Sequence, residues 1–276
     1  MEKKKSLSMK LKTKLLIALL LILAPFGAIR VWYKLTDNFY IEGIQNNFPY
    51  HAEWDVNEPS KKEQNDFLAS IQKPLKYLNK GAQVFAFETE DGKYVVKFFK
   101  FKHSKPSYFV EILPPIYPFK EYKEAKRVKK LDKIALIFKG HIDAYNHDKE
   151  DTGLVWLHLN KTTNQFPNVQ LIDKLGRSFT LNLDDTVFVV QKKGVVLRDA
   201  LTKDLKTNDP KKAEQDLKLI VDLYFREYKK GIYDCDHGLD HNTGFTFDGQ
   251  SFRFDVGKMS YGEEYKSRAF IEKDMI

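Results

Sequence analysis

The sequence is poor in residues that make crosslinks. Its 276 residues include one cysteine, Cys235, so neither an intramolecular disulfide nor a cysteine-built zinc site can form. There is no internal repeat and no low-complexity tract, which excludes solenoid and biased-composition architectures. Basic charge is scarce outside the first residues. The net charge is +8, but six lysines against Glu2 give residues 1–14 a net +5 and leave +3 for the rest. A nucleic-acid binder concentrates basic charge on its folded domain, so no nucleic-acid partner is expected. Apolar runs of membrane length are also missing, apart from one.

That run is Leu15 to Ile29, LLIALLLILAPFGAI, fifteen residues without a charge. As a helix it covers roughly 22 Å, short of a hydrocarbon core of roughly 30 Å. Arg30 can snorkel, and Trp32 and Tyr33 suit the interfacial belt. With them, residues 13–33 form a single-span candidate in contact with membrane lipid, kinked at Pro25. The preceding lysines predict a cytoplasmic N-terminus by the positive-inside rule. The rival is a signal peptide, which leaves an exported protein after cleavage. Ala28 has Phe26 two residues before it, where a cleavage site wants a small residue, and this favours the uncleaved anchor.

The remainder has ample core material, with 21 Phe, 14 Tyr and 3 Trp. Residues 1–34 are the basic start and anchor. Residues 35–75 are polar and mixed, and read as a tether with one helix at 61–72. From 76 to 192 the pattern is strand-rich. Tyr77–Leu78, Val84–Phe87 and Tyr94–Lys100 are separated by the turn signals Lys80–Gly81 and Asp91–Gly92. A helix over 118–146 follows, with Val128, Leu131, Ala135, Phe138 and Ile142 at helical spacing on one face. Strands are expected at 154–159 and 187–191, with an additional hairpin around 169–183. Residues 193–276 carry a helix from Pro210, with Leu217, Ile220, Val221, Tyr224, Phe225 and Tyr228 on one face, stopped by Gly231. A hairpin turns at Asp248–Gly249.

Three motifs stand in this frame in order. In YLNKGAQVFAFETEDGKYVVKFFK, Gly81 sits in a strand–turn–strand and Lys97 ends Tyr94-Val95-Val96-Lys97. On the helix, Glu124 shares the apolar face with Val128 and Leu131, where a carboxylate wants a cationic partner. Glu121 lies one turn earlier. In GIYDCDHGLDHNTGFTFDGQSFRFDVGK, Asn242 precedes Asp255-Val256-Gly257 by thirteen residues, with a hairpin between them. Asn and Asp oxygens suit a hard divalent ion.

This set resembles the protein-kinase-like superfamily over roughly residues 76–260. The resemblance implies an α+β fold: an antiparallel-sheet N-lobe over 76–192 and a reduced, mainly helical C-lobe over 193–276. It implies ATP and Mg²⁺ as cofactors. Gly81, Lys97 and Glu124 would bind nucleotide, and Asn242 and Asp255 would hold metal. Asp236 would be the catalytic base. The sequence departs from the family pattern in several places. One glycine replaces the usual three, Asp234 and Cys235 replace the histidine and arginine of the H-R-D segment, and Asp236 precedes Asn242 by six residues instead of five. Either the loop carries a one-residue bulge or His237 holds the base position. Nineteen residues follow Gly257, too few for a peptide-docking platform. Two alternatives stay open: a pseudokinase that binds without transferring phosphate, and a metal-dependent hydrolase built on Asp234, Asp236, His237, Asp240 and His241.

Overall fold

The computed structural model describes residues 2–101 and 108–275, with residues 2–12 and Tyr108 through their backbone alone. Helix α1, Glu2–Thr36, runs on through Pro25. Its segment Thr13–Thr36 is long and apolar enough to cross a membrane, with a mean hydropathy of 2.3 and a most apolar window that the chain leaves unburied. A span and a signal sequence share this character.

After α2, Lys61–Ser70, come strands β1, Leu75–Lys80, β2, Val84–Glu88, and β3, Tyr94–Phe99. Helices α3, Tyr108–Glu111, α4, Phe119–His147, and α5, Lys149–Thr152, lead to β4, Leu154–His158. Strands β5, Asn168–Ile172, β6, Ser178–Asn182, and β7, Phe188–Lys192, complete one seven-stranded sheet in the order β4-β7-β3-β2-β1-β5-β6. Its pairs are antiparallel except β1–β5. The expected hairpin at 169–183 is β5–β6, and it extends the sheet beyond the β1 edge.

One face of the sheet packs Phe85, Phe87, Val96 and Phe98 against Phe39, Ile44, Phe67 and Ile71. This corrects the expectation of a tether over 35–75. The segment is polar on average, but its few large apolar residues are buried: Ile44 and Phe67 are fully enclosed. Helix α2 starts on a capping box between Ser60 and Glu63, which satisfies backbone donors at its first turn.

The opposite face carries Phe99 and Val189, packed against Phe138, Ala144 and Tyr145 of α4. Side chains alternate along a strand. With Val96 and Phe98 facing one way, Lys97 faces the α4 side with Phe99. The burial of α4 differs from the expected stripe. Phe138 is buried, while Val128 and Leu131 are about half exposed. Only the C-terminal part of the helix reaches the sheet, so apolar spacing in its first half marks no core face.

The second part begins with β8, Gly194–Val196, α6, Leu197–Lys206, and α7, Pro210–Lys230. Asp209 caps α7, Pro210 sits in its first turn, and Gly231 ends it in the left-handed region. Ile220, Leu223, Tyr224 and Tyr228 are buried, whereas Leu217, Val221 and Phe225 of the expected face are partly exposed. Next come β9, Ile232–Asp234, α8, Leu239–Asn242, β10, Thr243–Thr246, β11, Ser251–Arg253, β12, Met259–Tyr261, and α9, Arg268–Met275. Strands β11-β10-β8 form a small sheet, and β12 pairs with β9. The chain is thus an α+β protein: a large sheet, a helical part with short strand pairs, and an apolar N-terminal helix.

Candidate functional site

Three segments meet between the large sheet and the helical part: β3, the C-terminal half of α4, and the loop after β11. Lys97 Nζ donates to the Phe254 carbonyl across 157 positions of sequence. Burial pushes its pKa down to about 8, while the Asp255 carboxylate pulls it upward. A partly buried cation with one carboxylate nearby lacks full compensation. A further negative group beside Lys97 would favour its charged form.

Asp255 is exposed, and its Oδ1 accepts from the Gly257 amide at 3.1 Å. Asn242 is tied to the same loop. Its carbonyl accepts from Phe254 N at 2.6 Å and from Asp255 N at 3.4 Å. The hairpin β10–β11 thereby returns residue 255 to residue 242, which the thirteen-residue spacing required. The Asn242 side chain is 3% exposed and its amide nitrogen is buried with no hydrogen bond, although it lies near enough to Asp236 to favour that group's charged form. The Asn242 side-chain oxygen and the Asp255 carboxylate are hard oxygen donors on backbone-linked segments, a donor set that fits a divalent cation.

The structure does not bring Glu124 to Lys97. Glu124 lies in the exposed first half of α4 beside Arg127, roughly 25 Å along the helix from the turn that reaches the site. His141 stands there in its place. Burial lowers its pKa to about 4, and its Nδ1 is bonded to the Ile137 carbonyl at 2.8 Å. The imidazole is neutral, and it senses both Lys97 and Asp255. Gly140 precedes it, and a Cβ there would fall 3.0 Å from the Val256 carbonyl oxygen and 3.1 Å from the Gly257 carbonyl carbon and oxygen. The helix backbone and the Asp-Val-Gly loop touch directly, which only glycine permits.

Gly81 closes the β1–β2 turn, with its amide donating to Val84 O at 3.0 Å and its carbonyl accepting from Lys100. A side chain at 81 would meet only Val84 Cγ2 at 3.5 Å. The turn residue that reaches the Asp255 loop is Gln83, whose Oε1 lies 2.7 Å from where a Cβ on Gly257 would stand. Neither His141 nor Gln83 was marked by the sequence. His141 is a single polar residue within α4 and Gln83 one just before β2, and only the fold reveals their direction.

The loop after β9 holds the remaining candidates. Asp236 is exposed and its Oδ1 pairs with Lys258 at 2.7 Å. Lys258 is the chief reason its pKa is lowered. His237 takes a left-handed φ of 50° before α8 begins. His237 Nε2 meets Tyr233 Oη at 3.0 Å. Beneath the loop, Arg253 is fully buried between Glu227 and Asp234. Asp234 Oδ1 in turn accepts from the Asp236 amide at 2.9 Å.

The hydrolase cluster is not assembled. Asp234 is committed to Arg253, Asp236 to Lys258, His237 to Tyr233, and Asp240 to Arg198 and His241. Among the described residues, no three His, Cys, Asp or Glu side chains converge as a metal cluster.

No family model matches the sequence, and no curated protein matches it. Solved structures do. A high-resolution structure of WbdD aligns at 12% identity and a TM-score of 0.39 over 72% of this chain and 35% of that one. A structure of the bifunctional kinase-methyltransferase WbdD aligns at 13% and 0.39 over 72% and 36%. WbdD with the kinase inhibitor LY294002 aligns at 13% and 0.36 over 67% and 33%. The chain spans about a third of the length of these proteins. At such scores the functional reading stands on the geometry of the site alone.

Proposed function

We propose that this chain is a membrane-anchored kinase-like protein that binds Mg-ATP and transfers its terminal phosphoryl group to a hydroxyl. The observation that carries the reading is the meeting of Lys97, Asn242 and Asp255 at one place from three segments. Lys97 supplies positive charge to the nucleotide phosphates. Asn242 and Asp255 would hold the divalent ion, which when bound would offset negative charge on the phosphates. Gln83 and the backbone of the Gly81 turn close over the phosphates. His141 fixes the loop from the helix side without adding a competing charge.

In the transfer, the acceptor oxygen bonds to the terminal phosphorus, the bond to the bridging oxygen breaks, and ADP leaves. The acceptor proton passes to Asp236. Asp236 must exchange Lys258 for the acceptor hydroxyl as it enters. The pairing of Asp236 with Lys258 also favours a second reading, a pseudokinase whose base is permanently occupied. Transfer from ATP labelled at its terminal phosphate separates them. The kinase reading expects autophosphorylation or labelled phosphate release by the wild type, and its loss in Asp236→Asn with nucleotide binding kept. Equal rates in both proteins remove Asp236 from the mechanism. Binding without turnover in either establishes the pseudokinase.

A further inference from the structure

The β5–β6 hairpin extends the sheet past its β1 edge and takes no part in the site. Its tip, Asp173–Arg177, lies against the end of α1. Arg177 stacks over the Trp32 ring at 5.2 Å, and Lys174 Nζ donates to the Lys34 carbonyl at 3.2 Å. The tip is held in shape by Asp173, whose Oδ1 accepts from the amides of Leu175 and Arg177 at 2.9 Å each. Gly176 supplies the left-handed φ of 78° that the turn requires. This rigid turn presents Leu175, 43% exposed, between two cations.

Trp32 lies three residues beyond Ile29, the last of the uncharged run. If α1 spans a bilayer, Trp32 to Thr36 stand at headgroup level, and whatever packs on them stands there too. Cations gather at this level. Lys80 and Lys174 pair with Asp37 and Arg177 pairs with Asp173, while Arg30 and Lys34 add two further cations on α1. No tether separates helix from domain, since Phe39 is already in the core.

We infer that the tip of the β5–β6 hairpin is a lipid-docking element that lies in the headgroup layer of an anionic bilayer, with Leu175 inserted and Lys174 and Arg177 on lipid phosphates. The inference rests on α1 being a span. It makes the domain a body held flush on the membrane in one orientation. Juxtamembrane cations favour anionic headgroups, and an apolar residue flanked by them has an amphipathic reason to be exposed.

The test uses the full chain with Cys235→Ser, reconstituted in vesicles of phosphatidylcholine alone or mixed equally with phosphatidylglycerol. A fluorophore is placed at Leu20→Cys, Leu175→Cys or Phe247→Cys, and quenching by nitroxide-labelled lipids is read. The expected result is quenching at 20 and 175 but not at 247. Most of the quenching at 175 should be lost without phosphatidylglycerol, or with Lys174→Gln and Arg177→Gln together. Quenching at 20 with position 175 behaving like 247 overturns the docking while keeping the span. No quenching at 20 overturns the span, and the docking falls with it. Quenching at 175 that ignores both lipid charge and the two substitutions overturns the role given to the cations.

Discussion

Arg253 binds Glu227 side-on, with Nε donating to Oε1 at 2.7 Å and Nη2 to Oε2 at 2.6 Å, in a place that water does not reach. Its remaining arm holds Asp234. Burial pushes Glu227 upward and Arg253 opposes that push. Since Asp234 also orders the amide of Asp236, one guanidinium ties α7 and β11 to the candidate catalytic loop. Arg253→Ala leaves two buried carboxylates unpaired and is expected to cost about 3–5 kcal/mol. Urea unfolding of the variant measures it, and a loss within experimental error would show that the triad is dispensable.

The contact of α4 with the Asp-Val-Gly loop predicts a second effect. Gly140→Ala places a methyl group 3.0 Å from the Val256 carbonyl oxygen, so the loop carrying Asp255 must move. Overpacking of this kind costs roughly 1–3 kcal/mol. The variant should also bind Mg-ATP more weakly, because Asp255 moves with the loop. Stability and nucleotide titration on the same sample check both. Unchanged binding would separate the helix from the site.

A pH dependence follows from Asp148. Burial raises its pKa from 3.8 to about 8, with Glu227 adding to the shift. Lys230 pairs with it at 2.6 Å but does not overcome the burial. Lys230 is itself held charged, being more exposed and shared with Asp151. The folded chain therefore binds a proton at Asp148 that the unfolded chain releases near pH 4. This contribution is fully present below about pH 4 and is lost as pH rises toward about 8. Asp148→Asn should remove that decline, and denaturation midpoints from pH 5 to 9 show whether the slope flattens. An unchanged slope would assign the dependence elsewhere.

Much of the frame was readable from the sequence because the signals were local. Asp91–Gly92 turned a hairpin, and Pro210 and Gly231 bounded α7. The thirteen-position step from Asn242 to Asp255 held a hairpin that returned one to the other. The misreadings share a physical cause. Glu124, Val128 and Leu131 obey helical spacing, but periodicity says which residues share a face and not which length of the helix is covered. His141 and Gln83 act across the fold, so nothing beside them in sequence announced them. Residues 35–75 looked like a tether because average polarity hid six large buried apolar side chains, Phe39, Ile44, Trp54, Phe67, Ile71 and Leu75.

Lys97→Met should keep the fold and lose the cation that faces the nucleotide phosphates. Removing a partly buried charge costs little where no ion pair compensates it fully, so its melting temperature without ligand should match or exceed that of the wild type. A large drop would mean that Lys97 is structural.

The most direct measurement is the thermal stability of the full chain with ATP, in the presence and absence of Mg²⁺. Ligand at a hundredfold excess over Kd stabilises by about 3 kcal/mol. The account predicts a rise in melting temperature that needs both ATP and Mg²⁺ and disappears in Lys97→Met and Asp255→Asn. No shift at millimolar nucleotide, or an equal shift in both variants, would contradict it.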